Sequence, residues 1–225
     1  MEKTESKRLR GDAEPRVEAV PRPETLGEHI AHWISQLGSP PIVALAAFCV
    51  TLAHLATPRA WLWMALYSLL GLVAPLLFLV WQLRRGDVTD LDIHFRQQRK
   101  WSLLVTAAGF AVAWVSMSLA QAPGLLLLMV GTGLLQWIAV YVISLRWKIS
   151  IHSASVSGVV LFVLWAFGLG AVPVTLAVPL VSWSRVKLRR HTPAQVIGGI
   201  LLGSAAFSIA LVLSPTARTP GLLGH

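Results

Sequence analysis

Apolar residues dominate this chain in long unbroken runs: Pro41 to Thr57, Ala60 to Leu83, Trp101 to Ala120, Pro123 to Leu145, His152 to Gly170 and Ile197 to Leu213. Each is close to the roughly 17 to 25 residues that a helix needs to cross a bilayer. A seventh run, Val172 to Trp183, is shorter and carries Pro173 and Pro179. Its length alone fits a broken or re-entrant piece, but continued through Val186 and Leu188 it crosses at a tilt, and it is counted as a crossing. The pattern predicts an all-α, polytopic transmembrane helical bundle of six to seven membrane segments over residues 40–213.

Before the first run, Leu26, Ile30, Trp33 and Leu37 recur at helical spacing opposite Glu28, His29 and Ser35. Residues 25–38 therefore read as an amphipathic helix in the headgroup layer, with docking on a partner helix as the rival reading. Residues 1–24 mix Glu, Asp, Lys and Arg without an apolar centre. They are expected to be a disordered charged tail and not a cleavable signal. Residues 214–225 form a C-terminal tail.

Composition agrees with a membrane class, since 55% of residues are hydrophobic and 13% charged, about half the charged share usual in soluble domains. The single cysteine, Cys49, lies inside an apolar run and permits no internal disulfide. Charge is one-sided. With seven crossings, the N-terminal tail and the segments near 84–100, 146–151 and 185–195 share a side and hold seventeen of the nineteen lysines and arginines. The positive-inside rule makes that side cytoplasmic in a cell-membrane protein. A net charge of +9 then favours anionic headgroups as partners. Nucleic acid is not expected, because no compact soluble domain presents the basic groups.

Three clusters on that side carry the candidate chemistry. The first holds Asp87, Asp90, Asp92, Arg96 and Arg99, and no Asp or Glu follows Asp92. A solvated loop between spans explains its charge equally well. The second is Arg146 to Ser153, with Lys148, Ser150 and His152 where one span ends and the next begins. In the third, Arg185, Arg190, His191 and Gln195 surround Thr192-Pro193. Threonine followed by proline reads as an N-cap with proline at the first helical position, so a helix opens directly after His191. A helix start favours an anion, and arginines add charge-assisted hydrogen bonds to phosphate. Two histidines with such neighbours suit phosphoryl transfer, one attacking phosphorus and one protonating the leaving alkoxide. The rival use of two histidines, zinc binding, lacks a neighbouring Cys or carboxylate in sequence, so no metal or cofactor is expected.

These residues resemble the type 2 phosphatidic acid phosphatase superfamily, the integral membrane lipid phosphate phosphatases, over roughly residues 60–213. Its motifs are K-x-x-x-x-x-x-R-P, P-S-G-H and S-R-x-x-x-x-x-H-x-x-x-D. The third is matched by Ser184-Arg185, His191 and then Gln195 in place of Asp, and the second by Ser150-Ile151-His152 without its Pro and Gly. In the first, Arg99 takes the arginine place, with Asp92 for lysine and Lys100 for proline. The resemblance implies a vanadium haloperoxidase-like core, His191 as phosphohistidine nucleophile, and His152 as general acid. It further implies Arg185 and Arg99 on the phosphate, with Lys148 and Arg96 as our own candidates to replace the missing lysine, and a lipid phosphate as substrate. Gln195 is expected to fix the tautomer of His191, helped by Asp87, Asp90 or Asp92. Two other readings stay open: a non-catalytic lipid-binding relative, and a magnesium-dependent prenyltransferase using the three aspartates.

Overall fold

In the computed structural model, residues 23, 25–55, 57–88 and 99–214 are described, and these are helical almost throughout. The expected terminal tails, apart from Pro23 and Ser214, lie outside them, as do Asp90, Asp92 and Arg96. Helix α1 (Leu26–Leu37) is followed by α2 (Pro40–Leu55), α3 (Pro58–Tyr67), α4 (Ala74–Arg85) and α5 (Arg99–Leu119). Then come α6 (Gly124–Ser144), α7 (Ile151–Phe167), α8 (Ala177–Lys187) and α9 (Pro193–Leu213). Among the described residues, Pro58–Arg85, Arg99–Leu119, Gly124–Ser144, Ile151–Lys187 and Pro193–Leu213 are long and apolar enough to cross a membrane. Taking α1 and α2, bent by 52°, as one span makes six.

Local chemistry accounts for the breaks. Pro75 has no N–H to return to Gly71, and the chain before it widens into a π-helical turn, Ser68–Val73, that carries α3 into α4. Gly109 of α5 crosses this turn so closely that a Cβ there would strike the Leu70 carbonyl. Between α7 and α8 the chain runs through a 3-10 segment, Gly168–Leu176, that contains Pro173. The seventh apolar run is therefore part 3-10 and part α. Ser182 on α8 reaches Ser153 on α7 at 3.5 Å, so residues 151–187 form a hairpin and α8 returns beside α7. Both α9 and α7 are capped by their own sequence: Thr192 with Gln195 closes a reciprocal capping box, and Ser150 accepts the Ser153 N–H.

The α7–α9 pair is the tightest junction. A Cβ on Gly199 would lie 2.5 Å from the Ser150 carbonyl, and one on Gly203 would strike Ala154 and Ser157. Small residues let two membrane helices approach this way. The Ser157 hydroxyl uses the closeness to reach the Ile200 carbonyl at 3.1 Å. A core of Phe48, Tyr67, Phe110, Met117, Leu126, Phe162 and Phe207 fills the middle of the bundle. The ends that carry Arg99, Ser150, Arg185 and Thr192 meet at one end of it, tied by Arg99 to the Ile149 carbonyl at 3.5 Å and by the Ser150 N–H to the Gln195 carbonyl at 3.1 Å.

Helix α1 docks on another helix of the chain, α8. Its apolar side, Leu26, Ile30, Trp33 and Leu37, stays exposed, while Ala31 and Ser35 are buried on the opposite side, which packs on α8. A Cβ on Gly38 would strike Val181. Ser35, expected on the water-facing side, turns inward instead.

Candidate functional site

The site is assembled where α8 hands the chain to α9. After Lys187 the chain turns through Arg189, whose φ of 53° is left-handed. This turn brings the N–H groups of Arg190 and His191 onto one carbonyl, that of Arg185, at 3.0 and 3.2 Å. The imidazole is thereby held beside the arginine six residues earlier. Arg185 is the largest fully buried side chain, 2% exposed. Its Nη1 donates to the Ser35 hydroxyl at 2.6 Å, a link 150 residues long in sequence.

Gln195 sets the protonation pattern of His191. The Thr192 N–H donates to Gln195 Oε1 at 3.2 Å, so the amide presents its oxygen at this place. His191 Nδ1 lies 3.1 Å from that same oxygen. An acceptor is met by an N–H, so the proton sits on Nδ1 and the Nε2 lone pair is free. Burial first, and then the positive charges of Arg185, Arg99 and Lys148, push the His191 imidazole far below its ordinary range, against a smaller upward pull from Gln195. In the absence of an anion the ring is neutral, the form in which nitrogen is a nucleophile.

Arg99, His152, Arg185 and His191 all line one cavity of about 350 Å³. Arg99 comes from the first turn of α5, His152 from the first turn of α7, and both are buried. Away from these four groups the wall becomes largely apolar, with Tyr67, Phe110, Met129 and Phe162 deep in the bundle. His152 and Phe162 are ten residues apart on α7, a span of about 15 Å along a helix. Cations thus stand at the mouth of a long greasy slot.

Other expected site residues sit elsewhere. Lys148 acts on His191 through its charge but is not part of the cavity wall. The Ser150 hydroxyl is fully buried and shared with Ser153, 3.0 Å away, so it caps α7 and does not face the cavity. Arg190 is half-buried, with Nη1 lacking a hydrogen-bond partner among the described residues. Asp87 is exposed beyond the left-handed Gly86 that ends α4, and Asp90, Asp92 and Arg96 lie outside the described residues. Among those residues no three of His, Cys, Asp or Glu gather as metal ligands.

Three contributors are not among the residues that the sequence singled out. Ser35 holds Arg185, while Gln136 and Ser155 hydrogen-bond to each other in the cavity wall at 2.9 Å. A glutamine within an otherwise apolar span was the one available clue, because polar residues at membrane depth are costly unless partnered. No protein-family model, curated protein or solved structure matches the chain.

Proposed function

We propose that this chain is a membrane phosphatase that hydrolyses lipid phosphates through a phosphohistidine intermediate. The observation that carries this reading is the joint placement of His152, His191, Arg99 and Arg185 around one cavity whose remaining wall is largely apolar. The phosphate oxygens would meet the two guanidiniums, which can bind them in a fork. The lipid chain would lie along the slot between helices.

In the first step the His191 Nε2 lone pair attacks phosphorus, and the bond from phosphorus to the lipid oxygen breaks. His152 gives its proton to the departing oxygen, so a neutral alcohol leaves. Positive charge appears on the phosphorylated ring and is stabilised through Nδ1–H by Gln195 Oε1. Water then attacks the phosphohistidine, His152 takes its proton, and inorganic phosphate leaves with both rings restored. Fixed positive charge around phosphorus supplies most of the acceleration, as expected for phosphoryl transfer. The clustering of lysine and arginine in the four segments that alternate crossings assign to one side supports a cytoplasmic site.

A second reading, a lipid-phosphate binder without turnover, is favoured by one detail. Gln195 Oε1 is neutral and is shared between the Thr192 N–H and His191, so it stabilises a charged ring less than a carboxylate would. Phosphate release by purified protein from a panel of lipid monophosphates and polyprenyl diphosphates separates the two. Turnover is expected, with alkali-stable protein-bound phosphate trapped during it, and His191→Ala is expected to abolish both. Release that continues unchanged in His191→Ala and His152→Ala overturns the phosphohistidine route, and binding without release from any substrate selects the second reading.

A further inference from the structure

Exposed tryptophans stand at the end of the bundle that carries the site, on several elements at once: Trp33, Trp81, Trp101, Trp147 and Trp183. Trp33 precedes Ser35, Trp101 follows Arg99 and Trp183 precedes Arg185, each by two positions. Trp147 precedes Ile149, whose carbonyl meets Arg99, and Trp81 adjoins Gln82, which accepts from Ser102 in the first turn of α5. The Arg85 guanidinium lies over the Trp81 ring at 4.2 Å. Tryptophans with basic neighbours are what a protein presents where a membrane meets water. The opposite boundary is marked by Trp61, exposed in the first turn of α3. From Trp61 to Trp81 the chain is helical throughout, and its rise of about 30 Å equals the thickness of a hydrocarbon core. This spacing sets the site at the level of the headgroups.

Helix α1 crosses that level at a slope. Small residues on its inner side meet the α8 region in order: a Cβ on Gly38 would strike Val181, Ser35 accepts from Arg185, and a Cβ on Gly27 would lie 3.6 Å from Lys187. The partners from Val181 to Lys187 span about 9 Å of helix rise. From Leu26 to Leu37, α1 therefore descends by about that depth, and its outer face of Leu26, Ile30, Trp33 and Leu37 is exposed along the whole descent. Helices that lie in a membrane interface bury an apolar face by about 5–10 Å. Lys187, exposed at the shallow end of the slope, and Arg189 just beyond it suit anionic headgroups. The inner side of the same helix belongs to the site, because Ser35 holds Arg185 while Gln36 and Ser39 line the cavity.

We propose that the outer face of α1 is a contact for the bilayer surface, and that seating it there keeps Ser35 against Arg185 and so keeps the arginine aimed into the cavity. The state of the surrounding headgroup layer thereby regulates the site. When the outer face leaves the lipid, α1 loses the support on that side, and the Ser35 hydroxyl withdraws with it. The inference rests on the phosphatase reading only for its kinetic readout.

Two measurements on the full chain test it. For the contact, Ile30→Cys in a Cys49→Ala background carries a nitroxide in vesicles of phosphatidylcholine and phosphatidylglycerol. The label should meet dissolved oxygen more readily than a water-soluble nickel complex; ready access of the nickel complex, or spin–spin broadening from a second copy, overturns the contact. For the coupling, phosphate release from a lipid monophosphate is followed in nanodiscs of the same lipids. Trp33→Glu should lower kcat by about fivefold or more, the low end of typical couplings between separate sites, and Trp33→Leu, which stays apolar, should keep most of the activity. If the loss passes through Ser35, adding Trp33→Glu to Ser35→Ala should cost less than about a further twofold, since changes acting through one bond are not additive. Equal losses on both backgrounds, or full activity in Trp33→Glu, overturn the coupling. If Trp33→Glu does not fold, Ile30→Gln is read in the same cycle. If wild type hydrolyses no lipid phosphate, the phosphatase reading alone has failed, and the coupling is read from thermal stabilisation by inorganic phosphate. Loss of most of the wild-type shift in Trp33→Glu supports it, and an unchanged shift, or none in wild type, refutes it.

Discussion

Ser35→Ala should cripple the site without touching the substrate. Ser35 is not part of the cavity wall, although its neighbour Gln36 is. It is 4% exposed and accepts the 2.6 Å bond from Arg185 Nη1. Hydrogen bonds to charged groups contribute roughly 1.5–3 kcal/mol, because a buried donor that loses its partner keeps its desolvation cost. If Arg185 is aimed at phosphate by this bond, that energy is taken from transition-state stabilisation. The expected loss in kcat/KM is about tenfold to about 150-fold, at ~1.4 kcal/mol per decade. The fall should lie mainly in kcat, and Ser35→Thr, which keeps the hydroxyl, should recover most of it. The assay is steady-state phosphate release from a lipid monophosphate in mixed micelles, run beside Arg185→Ala. Activity within twofold of wild type in Ser35→Ala, with Arg185→Ala inactive, would refute the idea that α1 aims the arginine.

Other expectations follow from the same geometry. Gly203→Val places side-chain carbons against Ala154 and Ser157. Overpacking of this kind typically costs about 1–3 kcal/mol; it should lower the thermal midpoint in detergent and separate His152 from His191, and an unshifted midpoint with full activity contradicts the close α7–α9 approach. Gln195→Glu puts a carboxylate about 3 Å from His191 Nδ1, where Gln195 Oε1 now lies, worth up to roughly 4 kcal/mol of attraction for a charged ring before solvent screening. A half-exposed position keeps only part of that, so single-turnover phosphate release should accelerate about tenfold; no acceleration counts against Gln195 as the group that steadies the ring. Because the folded His191 resists protonation, an unfolded chain with an ordinary imidazole pKa near ~6.5 takes up a proton that the folded chain refuses. Stability is unaffected by this group above about pH 6.5 and falls as pH drops below it, by roughly 2 kcal/mol at pH 5. Chemical denaturation at pH 5 and pH 7.5 reads the difference, which His191→Gln should remove; the same slope in that variant would sink the assignment.

Much of the architecture was readable in the order of residues because it depends on neighbours in the chain. Unbroken apolar runs set the long helices, and Thr192-Pro193 with Gln195 three positions on specifies a capped helix start directly after His191. The same spacing places Gln195 one turn beyond His191, where the 3.1 Å contact with Nδ1 is found. Alternation of basic loops and apolar runs was enough to expect Arg99, His152 and Arg185 at one end of the bundle, where the described ends of those loops meet.

Only the tertiary structure decided which way individual side chains face. In α6, α7 and α9 the surfaces toward lipid and toward neighbouring helices are equally apolar, so periodicity carries no direction. Nothing in the sequence shows that Gln136 turns to Ser155, or that Ser150 is spent on capping α7 and not on the cavity. In α1 the contrast between faces exists but misleads: Ser35, polar and placed opposite the apolar stripe, was assigned to water. It is buried against Arg185, because a guanidinium drawn into the interior requires an oxygen wherever the fold can supply one. That partner lies 150 residues away in the chain, and such distant contacts exist only after the helices have packed.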